Sequence, residues 1–220
     1  MKPVLAIAGC GVRLEVGLYG SPSERSHVAL AGPRPRSEYV VAAVDLLMRS
    51  AGLELPDLDA VVATRGPGSF TGVRVALATA QGIALAGSLP SAGFPSLLVQ
   101  AARAADRRCL AVQPARRGQV YAQAFAREIE MPTATSEPSV LELEELRTSA
   151  LPVVAPPGLE LPDGTPLAQV VIDTSAALVV LFRAGADGPQ HRLTPLYLEP
   201  PAATPPAPRM APWQRSPTAS

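Results

Sequence analysis

A glycine-rich segment, TRGPGSFTG at residues 64–72, contains the residues of this sequence that are best spaced for chemistry. Its three glycines, Gly66, Gly68 and Gly72, stand directly before a stretch with helical character. Glycine lets a backbone approach an anion closely, and the free N–H groups at a helix N-terminus point toward one. This arrangement is therefore suited to holding a phosphate.

The spacing of these glycines differs from that of the common nucleotide-binding motifs. The dinucleotide fingerprint is G-x-G-x-x-G, whereas this segment has one more residue before its last glycine. A Walker loop ends in Gly-Lys-Ser/Thr, but Val73 and Arg74 follow Gly72. The alternative is a structural turn in which Ser69 or Thr71 caps the helix, and local chemistry favours this turn over a phosphate-facing loop.

Cysteine and histidine, which often act in catalysis or metal binding, are scarce. Cys10 and Cys109 lie far apart, which predicts buried reduced thiols, because a structural zinc site usually needs four Cys or His ligands. His27 and His191 fall near the ends of predicted strands, with no serine or cysteine nucleophile motif beside them. A catalytic histidine is therefore the less favoured alternative. We expect no catalytic residue and no metal site.

Composition narrows the classes of function. The 220 residues suffice for one large domain or two small ones with a sizeable core. The 19 basic residues equal the 19 acidic ones, which argues against direct binding of nucleic acid or of an anionic membrane. The first apolar run is too short for a signal peptide, and we find no apolar stretch of membrane-spanning length. The expectation is a soluble cytoplasmic protein.

The first half of the chain alternates between the apolar periodicity of strands and that of helices. In order, it predicts strands at 3–10, 12–20 and 27–32, a helix at 37–51, a strand at 58–64, a helix at 71–86, a short strand around SAGF and a helix at 96–105. Ser37 is a suitable N-cap for the first helix, and Gly52 and Gly87 suit the two C-terminal ends. An antiparallel meander followed by strands with crossover helices is typical of an α/β fold.

The second half begins in a similar way but is shorter and more irregular. CLAVQPA and QVYAQAFA predict a hairpin through RRG, followed by a small helix near 140–148 and a helix at 174–184. Residues 199–220 contain seven prolines and few periodic apolar residues, which predicts an extended or disordered tail. Trp213, the one tryptophan, is only a weak signal that part of this tail docks on another surface. We therefore expect an N-terminal lobe at 1–105, a smaller second lobe at 106–198 and this tail.

Residues 73–86 are apolar nearly all round, which is typical of a helix buried on more than one side. At 100° per residue, one stripe consists of Val73, Leu77, Ala80 and Ala84. The opposite stripe consists of Thr71, Val75, Ala78, Thr79, Gly82 and Ala86. We predict that the first stripe covers the sheet and that the second, made of small residues, lets the backbone of another helix approach closely.

The helix predicted at 37–51 shows the same division. One of its stripes consists of Val40, Val44, Leu47 and Ala51, and another consists of Tyr39, Ala42, Ala43 and Leu46. Two neighbouring helices that each have a second apolar face indicate a subunit interface. The alternative is that the second lobe of the same chain covers both faces, and periodicity alone does not decide between the two.

Three segments resemble one known family. GPGSFTGVRVALATAQGIALAG closely resembles the Gly-Pro-Gly-Ser-Phe-Thr-Gly-x-Arg segment and small-residue helix of the bacterial TsaB family, also called YeaZ. ARRGQVYAQAF at 115–125 is similar to the second-domain hairpin of that family, and TPLYLEP resembles its terminal Pro-x-Tyr-Leu segment. The resemblance covers about residues 1–198, and it implies an actin-like, ribonuclease-H-like α/β fold with two lobes, of which the second is reduced.

The resemblance implies a non-catalytic role in making threonylcarbamoyladenosine at position 37 of tRNA. In that system a related subunit, TsaD, transfers the threonylcarbamoyl group, and TsaE, an ATPase, joins the complex. TsaB pairs with TsaD through the two N-domain helices and forms a homodimer through the same surface when alone, so tRNA is reached only through the complex. The partner-binding residues implied here are Tyr39, Ala42, Ala43, Leu46, Thr71, Arg74, Val75, Ala78, Thr79, Gly82 and Ala86.

The chain also departs from the family pattern. Relatives usually have Asp-Thr-Ser where this sequence has Ala8, Gly9 and Cys10, and they have Asp-Ala-Arg where it has Pro114, Ala115 and Arg116. Actin-like ATPases bind magnesium with carboxylates on these strands, which the residues present here do not supply. We therefore expect no autonomously bound nucleotide. ATP or ADP at a subunit interface, contacted by Arg116, is the remaining cofactor expectation, although an arginine in a hairpin turn is more often simply solvated.

The function expected is thus a scaffold that supports threonylcarbamoyl transfer by TsaD. The rival is an enzyme, a phosphotransferase or ATPase that uses Gly66, Gly68 and Gly72 to hold phosphate and turns over nucleotide alone. A third alternative is a self-sufficient homodimer. Addition of the partner distinguishes this last alternative. A self-sufficient homodimer would stay intact, whereas a scaffold that pairs with TsaD would exchange from its homodimer into a heterodimer.

Overall fold

The computed structural model of this chain describes residues 1–20, 25–31, 38–128, 131–185 and 192–198. The strands are β1 Val4–Ala8, β2 Leu14–Tyr19, β3 Arg25–Leu30, β4 Ala60–Thr64, β5 Ser91–Phe94, β6 Arg108–Pro114, β7 Gln119–Arg127, β8 Pro132–Ala134, β9 Ser139–Glu142 and β10 Val153–Val154. The helices are α1 Val40–Ser50, α2 Phe70–Gly87, α3 Ser96–Arg103 and α4 Thr174–Arg183, with 3-10 helices at Leu55–Asp57 and Leu143–Thr148.

The first sheet joins an antiparallel meander to two parallel strands. Its order is β3-β2-β1-β4-β5, with β1, β2 and β3 antiparallel and with β4 and β5 parallel to β1. Helices α1 and α2 are the crossovers that return the chain to the sheet, as the sequence predicts. The elements predicted from sequence in this half are confirmed.

The second sheet repeats this arrangement in a shorter and broken form. The β6–β7 hairpin corresponds to the start of the meander, and β10 runs parallel to β6 as β4 does to β1. Two short strands, β8 and β9, pair with opposite halves of β7 and together take the place that β3 has in the first sheet. An isolated parallel bridge between Val153 and Leu167 stands where a fifth strand would begin. The fold is therefore α/β and actin-like, with a reduced second lobe.

Both faces of the first sheet are covered, because its strands alternate side chains between two cores. Leu5 and Ile7 of β1 point toward α1 and α2, whereas Val4 and Ala6 point toward α3 and α4. Helix α4 therefore packs on the first sheet, although it follows the second sheet in sequence. The division of the chain at residue 105 stays a prediction.

Several element ends differ from the sequence prediction. Helix α1 begins at Val40 with Tyr39 as its N-cap, and the predicted cap, Ser37, lies outside the described residues. Helix α2 includes Gly87, and Ser88 adopts the left-handed conformation (φ 50°) after it, although Gly52 has that conformation after α1 as predicted. The predictions for His191, Trp213 and the proline-rich tail also fall outside the described residues.

Helix α2 bears on the expectation that no apolar stretch of the chain could span a membrane. It is the one described helix that is long and apolar enough, by length and composition, to cross a membrane. Its sheet-facing stripe is nevertheless buried in the fold. The core helix of an α/β protein meets the same two criteria, so the finding is weak evidence for a membrane span.

Candidate docking surface on α1 and α2

The glycine-rich loop before α2 packs against the turn after β1. A Cβ atom on Gly72 would lie 1.9 Å from the carbonyl oxygen of Gly9, and one on Gly68 would lie 2.3 Å from that of Cys10. A Cβ on Gly66 would lie 2.3 Å from the carbonyl oxygen of Leu196. These glycines are required because two backbone segments, the turn after β1 and the segment around Leu196, approach the loop too closely for any side chain.

The N–H groups of this loop are partly used within the chain. The Ser69 hydroxyl accepts a hydrogen bond from Gly72 N (3.2 Å) and so caps α2, as the structural-turn alternative predicts. Ser69 N donates to the carbonyl oxygen of Cys10 (2.9 Å). Two donors that a phosphate would need are therefore already bonded, and a phosphate-facing role for the loop stays a prediction.

Helix α2 has one buried face and one exposed face, as its sequence predicts. The buried residues are Val73, Ala76, Leu77, Ala80 and Ala84. Of the predicted partner-binding residues, Val75 and Thr79 are half-buried, and the exposed ones are Thr71, Arg74, Ala78, Gly82 and Ala86. Gly82 lies near the centre of the exposed face, and a Cβ on it would meet no atom within 4 Å.

Helix α1 contributes a smaller exposed face, and one predicted residue does not belong to it. Tyr39, Ala42 and Leu46 are exposed, but Ala43 is buried in the core beside Val40 and Leu47. The expectation that Ala43 belongs to an exposed face is therefore wrong, and partner binding by the other residues stays a prediction. The α1 sequence has apolar residues on most of its circumference, so periodicity did not distinguish a position at the edge of the buried stripe from an exposed one.

An open groove of about 580 Å³ runs between the two helices. Its floor contains Val44, Met48 and Ile83, and its rim contains Ala78 and Gly82. Three aliphatic side chains stand exposed at or beside it, since Val41 is 66%, Leu46 is 58% and Leu85 is 84% exposed. Leu85 lies seven residues after Ala78, on the same face of α2, so the heptad spacing could have identified it from sequence. We call the exposed faces of α1 and α2 with this groove the docking surface.

Residues 192–198, which we call the C-terminal strap, border the side of α2 that faces away from α1. Gln81 Nε2 donates to the carbonyl oxygen of Leu193 (2.7 Å), and Leu196 N donates to that of Arg65 (2.7 Å). Near the end of the strap, the Tyr197 ring contacts Phe70, and the Tyr197 hydroxyl accepts a hydrogen bond from Arg74. Sequence reasoning found Arg74 but missed Phe70 and Tyr197, because a contact across 123 residues leaves no local pattern.

A second group of polar residues lies on the opposite side of the first sheet, where β2 and β3 meet the start of α4. Thr174 donates to both carboxylate oxygens of Glu15, from its backbone N (3.0 Å) and from its hydroxyl (2.9 Å). His27 Nε2 lies 3.7 Å from Glu15 Oε2. Asp173 Oδ1 accepts hydrogen bonds from the Tyr19 hydroxyl (2.7 Å) and from two groups at the start of α4. We call these residues the polar cluster.

The pKa values in the polar cluster are shifted by burial and by these partners. Burial alone would raise the pKa of Glu15, but the ion-pair contact with His27, the hydrogen bonds from Thr174 and the charge of Arg103 hold it below its usual value. The same contact with the Glu15 carboxylate raises the pKa of His27. Burial would also raise the pKa of Asp173, but the hydrogen bonds to its carboxylate lower it. The cluster therefore favours the charged forms of the two carboxylates and of the imidazole.

Glu15, His27 and Asp173 each bring a potential metal-ligand atom within 4.8 Å of the other two. Both oxygens of Glu15 already accept hydrogen bonds, and Arg103 contributes a positive charge nearby. The geometry fits an ion pair better than a metal site. Sequence reasoning missed this group, because His27 was predicted at a strand end, whereas it lies inside β3 opposite Gly17.

Two cavities lie between the first sheet and the second half of the chain, and the larger is an open pocket of about 510 Å³ lined in part by Glu15, His27 and Asp173. The smaller, of about 10 Å³, is lined in part by Cys10, Glu15, Thr64 and Gln113 and has room for a single water molecule. Cys10 and Cys109 are free buried thiols, as predicted, and burial raises the pKa of each to about 11. Arg116 lies exposed in the β6–β7 turn, where its carbonyl oxygen accepts a hydrogen bond from Gln119 N (2.9 Å).

Comparisons with known proteins agree with the fold. A family model described as "TsaD: tRNA N6-adenosine threonylcarbamoyltransferase" matches residues 33–152, more than half of the chain. The solved structure "YeaZ from Pseudomonas aeruginosa" superimposes with a TM-score of 0.71 at 23% identity, covering 90% of this chain and all of that one. This likeness shows the fold.

Curated relatives point to one branch of that family. The Escherichia coli (strain K12) protein named tRNA threonylcarbamoyladenosine biosynthesis protein TsaB is 34% identical over 129 residues, or 57% of this chain and 55% of that protein. The TsaB protein of Haemophilus influenzae is 33% identical over 109 residues, or 48% of this chain and 46% of that protein. The chain thus spans about half the length of the curated relatives it matches. It belongs to the TsaD-type family that the model describes and, within that family, to the TsaB (YeaZ) proteins.

Proposed function

We propose that this protein is a non-catalytic subunit in the formation of threonylcarbamoyladenosine at adenosine 37 of tRNA. In this role the docking surface pairs with a TsaD-type subunit, which carries out the transfer, and TsaE joins the assembly. The protein acts in the cytoplasm and reaches tRNA only through its partners. The observation that carries the proposal is the docking surface, which the described part of the chain leaves open around Gly82.

The shape and composition of the docking surface support a helical partner. Ala78, Gly82 and Ala86 have no side chain beyond Cβ, so a second helix can approach the backbone of α2 closely. Leu46 and Leu85 would bury apolar area against that partner, which favours association. An exposed apolar surface of this kind is typical of a protein interface.

The family match supports a TsaD-type partner. The family model covers residues 33–152, which include both α1 and α2. A TsaD-type chain therefore has a related pair of helices that can pack against these two about an approximate two-fold axis. In the absence of the partner, a second copy of this chain would use the same surface and form a homodimer.

The residues at the ends of β1 and β6 support a non-catalytic role. Ala8 at the end of β1 and Pro114 at the end of β6 offer no carboxylate to bind magnesium. The Cys10 thiol, with a pKa of about 11, is protonated at neutral pH and is therefore a poor nucleophile. We infer that any ATP or ADP lies at a subunit interface, with Arg116 as a candidate contact, rather than in the cleft between the lobes.

Two substitutions on α2 test the pairing. Ala78→Glu and Gly82→Arg place a bulky charge at the centre of the docking surface, and we expect each to weaken binding to a TsaD-type subunit at least about 100-fold. Ala134→Glu, on an exposed strand of the second sheet, is the matched control and should bind like the wild type. Affinity is measured by titration calorimetry, and folding is checked by circular dichroism. Undiminished binding by both α2 variants would contradict the proposal.

Reconstitution tests the role in the pathway. TsaD, TsaE, threonine, bicarbonate, ATP, the adenylate-forming enzyme and unmodified tRNA are mixed with and without this protein. We expect modified adenosine to form only when the protein is present, and to be lost again with Gly82→Arg. Turnover of ATP by the isolated protein would instead favour a phosphotransferase or ATPase.

A further inference from the structure

The C-terminal strap holds three exposed side chains in a fixed arrangement beside the docking surface. Arg74 Nε donates to the Tyr197 hydroxyl (3.1 Å), and Arg74 Cζ lies 3.9 Å from the centroid of the Phe70 ring. The rings of Phe70 and Tyr197 are 5.5 Å apart and tilted by 33°. Each of the three side chains therefore contacts the other two. We call them the aromatic–arginine cluster.

The aromatic–arginine cluster is ordered although it is not part of the core. Phe70 is 40% and Tyr197 is 39% exposed, and Arg74 is also exposed. Fixing a long arginine side chain at a surface costs conformational entropy, which the contacts with both rings offset. The result is an arginine held in one orientation before any partner arrives.

The cluster is continuous with the docking surface. Arg74 and Ala78 lie one helical turn apart on α2, and the strap follows the side of α2 that faces away from α1. Aromatic residues and arginine are the types that most often dominate the energy of a protein interface, provided that they are well packed. A partner that covers Ala78 would therefore reach Arg74 as well.

The contacts of Arg74 indicate the chemistry of the group that it meets. Its Nε is bonded to Tyr197 and one face of its guanidinium lies over Phe70, which leaves the edge formed by the two terminal nitrogens for another partner. Among the described residues, Arg74 forms no ion pair with a carboxylate. A carboxylate binds such an edge through two parallel hydrogen bonds.

We propose that Tyr197 is a positioning residue that holds Arg74 to receive an acidic side chain of the docked TsaD-type subunit. This inference rests on the proposed function and adds the strap to the docking surface. Tyr197 acts through Arg74, because its hydroxyl fixes Nε and its ring supports Phe70 beneath the guanidinium. Preorganisation of this kind raises affinity by lowering the ordering cost at the moment of binding.

A double-mutant cycle tests the positioning role. Tyr197→Phe removes one hydroxyl and keeps the ring, so we expect binding to the TsaD-type subunit to weaken about 5-fold. Arg74→Ala should weaken it about 30-fold. In the Arg74→Ala background, Tyr197→Phe should have no further effect, because the group that it positions is gone. The proposal would be overturned if Tyr197→Phe weakened binding equally in the wild type and in Arg74→Ala. It would also be overturned if Tyr197→Phe had no effect on binding in the wild type.

Two controls separate positioning from a general loss of structure. Thermal unfolding of Tyr197→Phe should match that of the wild type, since the hydroxyl is at the surface. Arg147→Ala removes an exposed arginine of the second lobe and should leave affinity unchanged. A fall in melting temperature that accounts for the loss of binding would count against a positioning role.

Salt dependence tests the acidic partner. The affinity of the wild type should fall more steeply with salt than that of Arg74→Ala, because a charged pair is screened. Equal slopes would exclude a carboxylate as the group that Arg74 meets. If the wild type does not bind a TsaD-type subunit at all, the proposed function fails. If Gly82→Arg abolishes binding but the Tyr197 and Arg74 variants bind normally, only the present inference fails.

Discussion

The docking surface and the polar cluster lie on opposite sides of the first sheet. They differ in whether their side chains have partners within the chain. In the polar cluster, the carboxylates of Glu15 and Asp173 are bonded to groups of the same chain. On the docking surface, Leu46 and Leu85 project into solvent and Gly82 faces open space. The chain bonds these carboxylates internally on one side and leaves apolar surface uncovered on the other.

This difference teaches where to expect stability and where to expect association. Removing one partner from a buried polar network leaves another group unsatisfied and destabilises the fold. Truncating an exposed apolar side chain has little effect on the fold but removes area from an interface. Substitutions on the two sides of the sheet should therefore change different measurements.

A large effect on stability is expected from Arg103→Met. Arg103 is 4% exposed and donates to the carbonyl oxygen of Ala155 (2.8 Å) and to the side chain of Gln100, and its charge helps to keep Glu15 ionised. Its loss leaves these groups without a cation, and we expect the free energy of unfolding to fall by about 3 kcal/mol. Denaturant titration measures the change.

The matched variant for this test is Arg147→Met. Arg147 is an exposed arginine whose side chain pairs with Glu144 (3.3 Å), and its replacement should change the free energy of unfolding by less than about 1 kcal/mol. Equal midpoints of unfolding for the two variants would mean that Arg103 does not stabilise the fold as its hydrogen bonds indicate.

A pair of leucines on α2 brings the comparison onto a single helix. Leu77 is 3% exposed, whereas Leu85 is 84% exposed. Leu77→Ala should lower the free energy of unfolding by about 2 to 4 kcal/mol, because it leaves a cavity under the sheet-facing stripe. Leu85→Ala should change it by less than about 0.5 kcal/mol. Under conditions where both variants are folded, Leu85→Ala should bind a TsaD-type subunit more weakly than Leu77→Ala does.

The two faces of α2 could be predicted from sequence because a single period determines them. Val73 and Leu77 recur at helical spacing, and the sheet covers the stripe to which they belong. The order of strands and helices followed for the same reason, since β1, β4 and the helices each contain a continuous local pattern. Ala43 was misplaced because it lies at the edge between stripes, where side-chain size does not distinguish buried from exposed positions.

The polar cluster and the strap could not be predicted, because tertiary contacts create them. Glu15 meets Thr174 across 159 residues, and Arg74 meets Tyr197 across 123. A lone glutamate among apolar strand residues indicates a buried charge but not its partner. The place of α4 on the first sheet, on which the cluster depends, is a matter of topology rather than of local pattern.

The polar cluster should also show a characteristic pH dependence, tested with His27→Gln. The pKa of His27 is raised above its ordinary value of 6.5, so its contribution to stability is fully present below pH 6.5 and is lost as pH rises through the raised pKa. The pKa values of Glu15 and Asp173 are lowered, so their contributions are present above about pH 4.5 and are lost as pH falls through the lowered values. The contributions of the imidazole and of the two carboxylates to stability are therefore fully present together only between about pH 4.5 and pH 6.5.

We therefore expect the wild type to be more stable than His27→Gln by about 1 kcal/mol near pH 5.5, a modest value because the imidazole is one-third exposed. The difference should shrink toward zero as the pH rises through the raised pKa of His27. Unfolding is measured by denaturant titration at a series of pH values from about 5.5 upward. A difference that does not depend on pH would mean that His27 acts through packing and not through its charge.

The smallest effect, Gly82→Ala, has opposite signs in the two measurements. Gly82 lies inside an exposed helical turn with no atom near the position of a Cβ, so alanine should stabilise the fold by about 0.5 to 1 kcal/mol. The same methyl group stands where a partner helix would approach, so it should weaken binding to a TsaD-type subunit. Gly87→Ala is the contrasting variant, because its Cβ would lie 2.9 Å from Leu89 and should give no such gain. If Gly82→Ala strengthened both folding and binding, this glycine would not be kept for close approach, and the docking surface would have to be centred elsewhere on α2.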